Sequence, residues 1–428
     1  MPAQKRLGVG AACLTMLALA ACAPSTSENT SGGNDDDSTL QVWSWRTEDV
    51  DAYEKIFDAF EADHEGITVE FKAFTNTEYD TILATGLTEK GGPDVAQLRA
   101  YGGLQPLCEA GRLVPLDDQD IDVSAISDDV LEGARCQGDG KLYGVPFATQ
   151  VLAVYYNKAI FEEQGIEEPT TWDEMTAASE KLDAAGVTPF ATTGKDTWML
   201  PIVHDVFAAP RYGGQEFAQA VQSGQTDFTD PDYVASLEVV SDLVPYFPED
   251  VVGVDYVTAQ MLFTSEKAAM YPGGSFELAF FQDQNTDLEM GVFAVPPPPG
   301  SVVDHPLTPG WVDASFGVNA KSPDSEAALE LARWMATEEF GQMVSDELKQ
   351  INPVEGVTPA DPLLKEMVGL YEEHPSPYLL LVDFRYGEPA GTDLLGTGLQ
   401  SMLLGDQEAP AVAADLQKGI AQWFEPQG

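Results

Sequence analysis

Positive charge is scarce in this chain. Its 428 residues carry 21 Lys and Arg against 71 Asp and Glu, a formal net charge of −50, which excludes a basic surface for nucleic acid or for anionic lipid headgroups. The acids are spread along the sequence rather than gathered in a tail, as suits a solvated surface that resists aggregation or one adapted to high salt. Histidine is rare too: His64, His204, His305 and His374 lie far apart in sequence, so no local zinc pair exists. No Gly-x-Ser-x-Gly elbow, no phosphate-cradling Gly-x-x-x-x-Gly-Lys run and no dinucleotide fingerprint occurs, and no catalytic residue, metal or cofactor is expected. The stretch "DDQDIDVSAISDD" sets Asp118, Asp120, Asp122 and Asp129 at calcium-loop spacing, but Val123 stands where the turn glycine belongs and Asp129 is one methylene short of the usual glutamate. No spacing among the acids marks out a glycosidase pair of carboxylates.

Long apolar runs are absent beyond the start of the chain. There, Lys5 and Arg6 precede an uncharged run from Leu7 to Ala21, and "LAAC" ends at Cys22. A charged opening, a short apolar segment and small residues before the break predict an export signal over 1–21, too short to span a membrane permanently. Leu19-Ala20-Ala21-Cys22 looks like a lipobox, which makes Cys22 the acylated first residue of a membrane-anchored protein. "APSTSENTSGGNDDDST" has no large apolar residue, so 22–38 is expected to be a flexible leash. Of four cysteines, Cys13 leaves with the signal and Cys22 takes lipid. Cys108 and Cys136 remain, either paired or as two buried free thiols.

Past the leash, strand and helix patterns alternate. "LQVWSW" reads as a strand, and Tyr53, Ile56, Phe57 and Phe60 then recur on one helical face, with Asp51, Glu54, Lys55 and Asp58 on the other. "GITVEFKAF", a helix from Glu78 to Leu87 and the strand opened by "GGPDV" complete a βαβ pattern, which predicts a parallel sheet covered on both faces. Ligands bind at the carboxyl ends of such strands, where Trp45, Arg46, Thr77, Gln97 and Arg99 fall. Two apolar runs meet at Ala148 to Gln150 in "VPFATQVLAVYYN", and a second α/β series comes after them. "SEAALELARWMATEEFGQMVSDEL" reads as one long amphipathic helix, and Pro296 to Pro299 exclude regular structure. Trp43 and Trp334 read as core. Trp45, Trp198, Phe276 and Trp311 follow or interrupt apolar runs beside small or polar residues, the context of rings that cover the C–H face of a sugar.

The segments "GGPDVAQL", "EAGRLVPLDD", "GKLYGVPFATQVLAVYYNKAIFEEQGIEEPTTWDEM", "KAAMYPGGSF" and "AALELARWMATEEFGQMVSDEL" resemble, in order and spacing, the extracellular solute-binding proteins of sugar ABC importers, the family that includes maltose-binding protein. The likeness runs from about Leu40 to the end. It implies an α/β, two-lobed fold with a hinge, with lobe 1 formed by 39–148 and 313–352 and lobe 2 by 149–312 and 353–428. A saccharide would bind between the lobes without being chemically changed, and the closed form of a monomer would meet the permease subunits of the transporter. By position the resemblance places Trp45, Arg46, Gln97, Arg99 and Gln150 at the ligand, with Thr149, Gly274, Ser275 and Phe276 beside them. It adds Phe384, Arg385 and Tyr386 as a late cluster facing the cleft, and Trp198, Trp311 and Asp313. Two other readings stay open, a binder of a polyamine or betaine on the same fold and a secreted glycosidase. Arg46, Arg99 and Arg385 in one cleft argue against a cationic ligand.

Overall fold

The computed structural model describes residues 38–426. The expected signal, Cys22 and the leash up to residue 37 lie outside the described residues. Nine strands form one curled sheet: β1 (Ser38–Ser44), β2 (Ile67–Ala73), β3 (Val95–Arg99), β4 (Val145–Asn157), β5 (Thr188–Phe190), β6 (Ala268–Gly274), β7 (Met290–Phe293), β8 (Thr308–Val318) and β9 (Pro375–Pro377). Their order is β2-β1-β3-β8-β4-β6-β5, with β7 beside β4 and β9 beside β8.

The first three strands are parallel to one another, as the βαβ pattern requires. The helix Val50–Asp63 buries Tyr53, Ile56, Phe57 and Phe60 against them, each stabilising the fold by roughly 1.5–3 kcal/mol before chain entropy is subtracted. Gly66, at φ 89°, turns the chain from that helix into β2, a conformation that a Cβ would strain. Trp43 and Trp334 are buried, as core residues should be.

Two departures from the sequence reading have local causes. The two apolar runs around Ala148 are a single strand, β4, whose pairing with β8 shifts register at Pro146/Ala148 and again at Ala148/Thr149; a bulge of this kind breaks the alternation that marks a continuous strand. The long helix expected after Ser325 is two, Ser325–Met335 and Glu338–Glu347. Thr337 ends the first and caps the second, its hydroxyl accepting from the Phe340 amide at 3.3 Å.

Apolar residues gather in two clusters. One takes buried side chains from Leu40 to Ala148 and from Ala314 to Val354. The other takes those from Val151 to Val312 and from Leu363 to Ile420, and also receives Ala100 and Tyr101. β4 and β8 are long because each begins in one cluster and ends in the other. A third crossing joins them where the Thr149 amide donates to the Ile351 carbonyl at 2.8 Å. Cys108 and Cys136 are bonded, closing a separation of 28 residues in the first cluster's half. No helix among the described residues is long and apolar enough to cross a membrane.

Candidate ligand-binding site

The crossing of β4 and β8 leaves polar side chains where neither core can absorb them. Gln150 is 1% exposed and fully engaged: its amide nitrogen donates to Gln350 Oε1 at 2.7 Å and to Asp313 Oδ2 at 3.1 Å, and its oxygen accepts from the Ser275 hydroxyl at 2.6 Å. Ser275 in turn accepts from the Val151 amide at 3.2 Å, and Trp311 Nε1 donates to Asp313 Oδ1 at 3.3 Å. The network ties both crossing strands to the end of β6, so an unpaired member would leave a buried polar group without a partner. Thr149 bonds the Ile351 carbonyl through its amide and, at 3.2 Å, its hydroxyl.

Aromatic rings line the second half beside that network. Trp198 lies 5.0 Å from Tyr256 and 6.5 Å from Phe276, Phe276 lies 6.3 Å from Trp311, and Trp311 lies 5.1 Å from Tyr378, all between ring centroids. Trp198 and Tyr256 are the half-buried members; the other three are buried. Gly274 has no room for a Cβ, which would run into the Phe276 ring. Below the wall Glu277 is 0% exposed and accepts from Gln260 at 2.7 Å, Tyr256 at 2.9 Å and Tyr271 at 3.0 Å. Burial pushes its carboxyl up to about 7, although these three donors and the charge of Arg46 pull it down.

The first half presents charge instead. Arg46 binds Asp49 at 2.6 Å and Glu48 at 3.0 Å. Burial alone would lower its pKa, but the two carboxylates outweigh it and the guanidinium is held well above its ordinary value. Arg99 bonds Asp80 at 3.1 Å and the side chain and backbone of Asn76, and its guanidinium lies 4.2 Å above the Trp45 ring. Gln97 is buried with its side-chain oxygen engaged by Ser44, and Thr77 is exposed in the turn before the helix Tyr79–Gly86.

Gln150, Ser275, Phe276, Trp311, Asp313 and Trp198 therefore form one contiguous group. Arg46, Arg99 and Arg385 stand around it; Arg46 influences Tyr256, and Arg99 influences Arg385, through their charges. Two residues depart from the cleft reading. Phe384 is 0% exposed and packs edge-on against Phe228 at 4.9 Å and Phe424 at 5.1 Å, inside the second core. Trp45 is 5% exposed, its face covered by Arg99, so it supports a guanidinium rather than offering an open ring. Glu277, Gln350, Tyr256 and Tyr378 were missed. Glu277 comes directly after Phe276, and an acid inside an apolar run was the one signal available; the others carry no pattern.

His305 and His374, distant in sequence, meet with ring centroids 4.5 Å apart, but no group of three or more His, Cys, Asp or Glu suited to a metal occurs among the described residues. In the calcium-like stretch Asp118 binds Lys141 at 2.9 Å and Asp122 accepts from the Ser124 amide at 3.0 Å. Ser236, His204 and Asp205 have the connectivity of a hydrolytic triad, at 2.8 and 3.1 Å. All three are buried in the second core, where the Ser236 hydroxyl donates to the Tyr233 carbonyl, so no substrate reaches them.

A sheet shared by two cores, crossed by long strands, with aromatic rings and satisfied polar groups at the crossing, defines the class of two-lobed binding proteins. Residues 44–342 match the family described as bacterial extracellular solute-binding protein, and the chain belongs to that family. It is 26% identical over 384 residues to a multiple sugar-binding protein of Streptococcus mutans, a match covering 84% of this chain and 86% of the other. Among solved structures it is similar to a chitin oligosaccharide binding protein (TM-score 0.75, 22% identity, 90% of this chain and 98% of that one). It is similar also to RafE in complex with raffinose (TM-score 0.72, 24% identity, 90% and 99%). The fold of these neighbours is the two-lobed one.

Proposed function

We propose that this protein is the saccharide-capturing subunit of an ABC importer, anchored through a lipid on Cys22 to the outer face of the cytoplasmic membrane and acting as a monomer that delivers its ligand unchanged to the permease. The observation that carries the reading is the row of rings with half-buried Trp198 and Tyr256 at its accessible end and the buried Phe276 and Trp311 behind them, set against the Gln150–Asp313–Ser275 network at the strand crossing. Rings remove the C–H faces of a sugar from water, at roughly 25 cal/mol per Å² of apolar area. Asp313, half-buried and with acceptor capacity beyond its bonds to Gln150 and Trp311, then discriminates among hydroxyls, because a sugar without the matching donor forfeits a charge-assisted bond. Kinship with sugar-binding relatives supports the same ligand class. A solute touching both lobes favours the closed form by its extra contacts there, which gives a permease a shape to recognise.

A calorimetric screen of mono- and oligosaccharides on the purified protein tests this. At least one neutral or acidic saccharide is expected to bind and to raise the melting temperature, since a ligand of the folded state alone must do so. Stabilisation by polyamines or betaine with no response to any saccharide would overturn the ligand class, and turnover of a nitrophenyl glycoside abolished by one carboxylate substitution would overturn the binding role.

A further inference from the structure

Arg385 is half-buried between the helices Leu379–Val382 and Gly391–Leu403, and it forms no ion pair or hydrogen bond among the described residues. In a chain with 71 acids that is unusual. Five of the seven described arginines, Arg46, Arg99, Arg135, Arg211 and Arg333, each pair with a carboxylate.

Its neighbour across the cleft is a second arginine. A Cβ on Gly102 would collide with the Arg385 carbonyl oxygen, and one on Gly103 with Arg99 Cβ. Two adjacent glycines thus let the Arg385 backbone, from the second half, and the stem of Arg99, from the first, pack against the same turn. Arg99 is aimed by Asp80 and Asn76 on its edge and by Trp45 beneath its plane, which leaves Nη1 without a hydrogen bond among the described residues. Burial first, and then the charge of Arg99, lowers the pKa of Arg385; Asp80, Asp393 and Tyr378 act the other way without offsetting it. Tyr378 feels the charge of Arg385 and lies 5.1 Å from Trp311, so the paired cations continue the aromatic wall.

We propose that the captured saccharide carries an anionic group, a carboxylate or a phosphate, seated between Arg99 and Arg385. The inference rests on the saccharide reading and narrows it. A neutral sugar leaves the Arg385 charge without a partner, and the Arg99 Nη1 without an acceptor, as closure removes water, which opposes that step. An anion shared by both makes closure the step that completes its hydrogen bonds, each charge-assisted and about twice as strong as a neutral one.

The test is calorimetry on the full chain with matched probes: glucose against glucuronate, galactobiose against digalacturonate, and glucose 6-phosphate. The acidic member of a pair is expected to bind about tenfold to a hundredfold more tightly, with the advantage shrinking as salt rises. Arg385→Gln removes that preference, Arg385→Lys keeps part of it, and the melting temperature of each ligand-free variant reports its fold. Tighter binding of the phosphate assigns a sugar phosphate, and tighter binding of the uronates assigns a carboxylate. Neutral members binding as tightly as acidic ones, or a preference that survives Arg385→Gln, would overturn the charge assignment and leave the saccharide reading standing; binding of no probe and no other saccharide would overturn both.

Discussion

The two faces of the cleft solve the burial of polar groups in opposite ways. The first half neutralises: Arg46 is locked to Asp49 and Glu48, and Arg99 to Asp80 and Asn76. The second half solvates and shields: Glu277 has three hydrogen-bond donors and no directly bound cation, Arg385 has no partner among the described residues, and between them stand aromatic rings. A neutralised face is rigid and costs little to keep in the empty protein. A face with uncompensated charge and apolar rings gains most when something covers it.

Breaking the neutralised side produces the largest effect on stability. Arg46→Met leaves Asp49, 6% exposed, without its cation, and removing one partner of a buried pair costs about 3 kcal/mol. Burial already raises the pKa of Asp49 despite Arg46, and the substitution raises it further. A raised carboxyl contributes fully below its unfolded pKa and loses that contribution as pH rises, so the deficit of the variant in urea titrations is expected to widen from about pH 5 to about pH 8. An equal deficit at both values would show that Asp49 stays compensated by other means.

On the shielding side, Trp198→Ala removes a half-buried ring from the wall while the core behind it remains. Saccharide affinity is expected to fall by about 2 kcal/mol, about thirtyfold, by calorimetry. Glu277→Gln addresses the same face through pH. The folded pKa of about 7 lies above the ordinary Glu value of 4.5, so the stability it provides is complete below the lower value and is lost as pH climbs through the higher one. Across that window the native protein should lose on the order of 3 kcal/mol from this group, and the glutamine variant should show a flatter profile.

These contrasts were only partly legible in the sequence. The helix Val50–Asp63 and the three parallel strands stem from local periodicity, which a sequence displays directly, whereas Arg46, read there as a ligand residue, is bound to Asp49. Only the resemblance places Gln150 and Asp313 at the ligand, and the register that pairs Gln150 with Trp311 across β4 and β8 is one that no local pattern shows. Arg99 covering Trp45 depends on a contact 54 residues apart in sequence, and no pattern encodes it. Outside regular structure, side-chain direction has no period: Phe384 and Arg385 are adjacent, yet one is buried in the second core and the other is half-buried. Gln350 reaches the network from the third crossing, beyond the end of the helix Glu338–Glu347, where the periodicity that revealed the helix has already stopped.

The smallest effect separates the two faces most cleanly. Arg46 and Arg385 are both half-buried, and a substitution that removes the guanidinium at either deletes one charge. At Arg46 the change strands a carboxylate. At Arg385 it removes a half-buried guanidinium that has no ion pair or hydrogen bond among the described residues, so the empty protein should change by less than about 0.5 kcal/mol, or gain slightly. Urea unfolding of Arg385→Gln without ligand measures this directly. A loss comparable to that of Arg46→Met would mean that Arg385 is neutralised within the fold, and the division between a neutralised and an open face would fail at the residue on which it depends most.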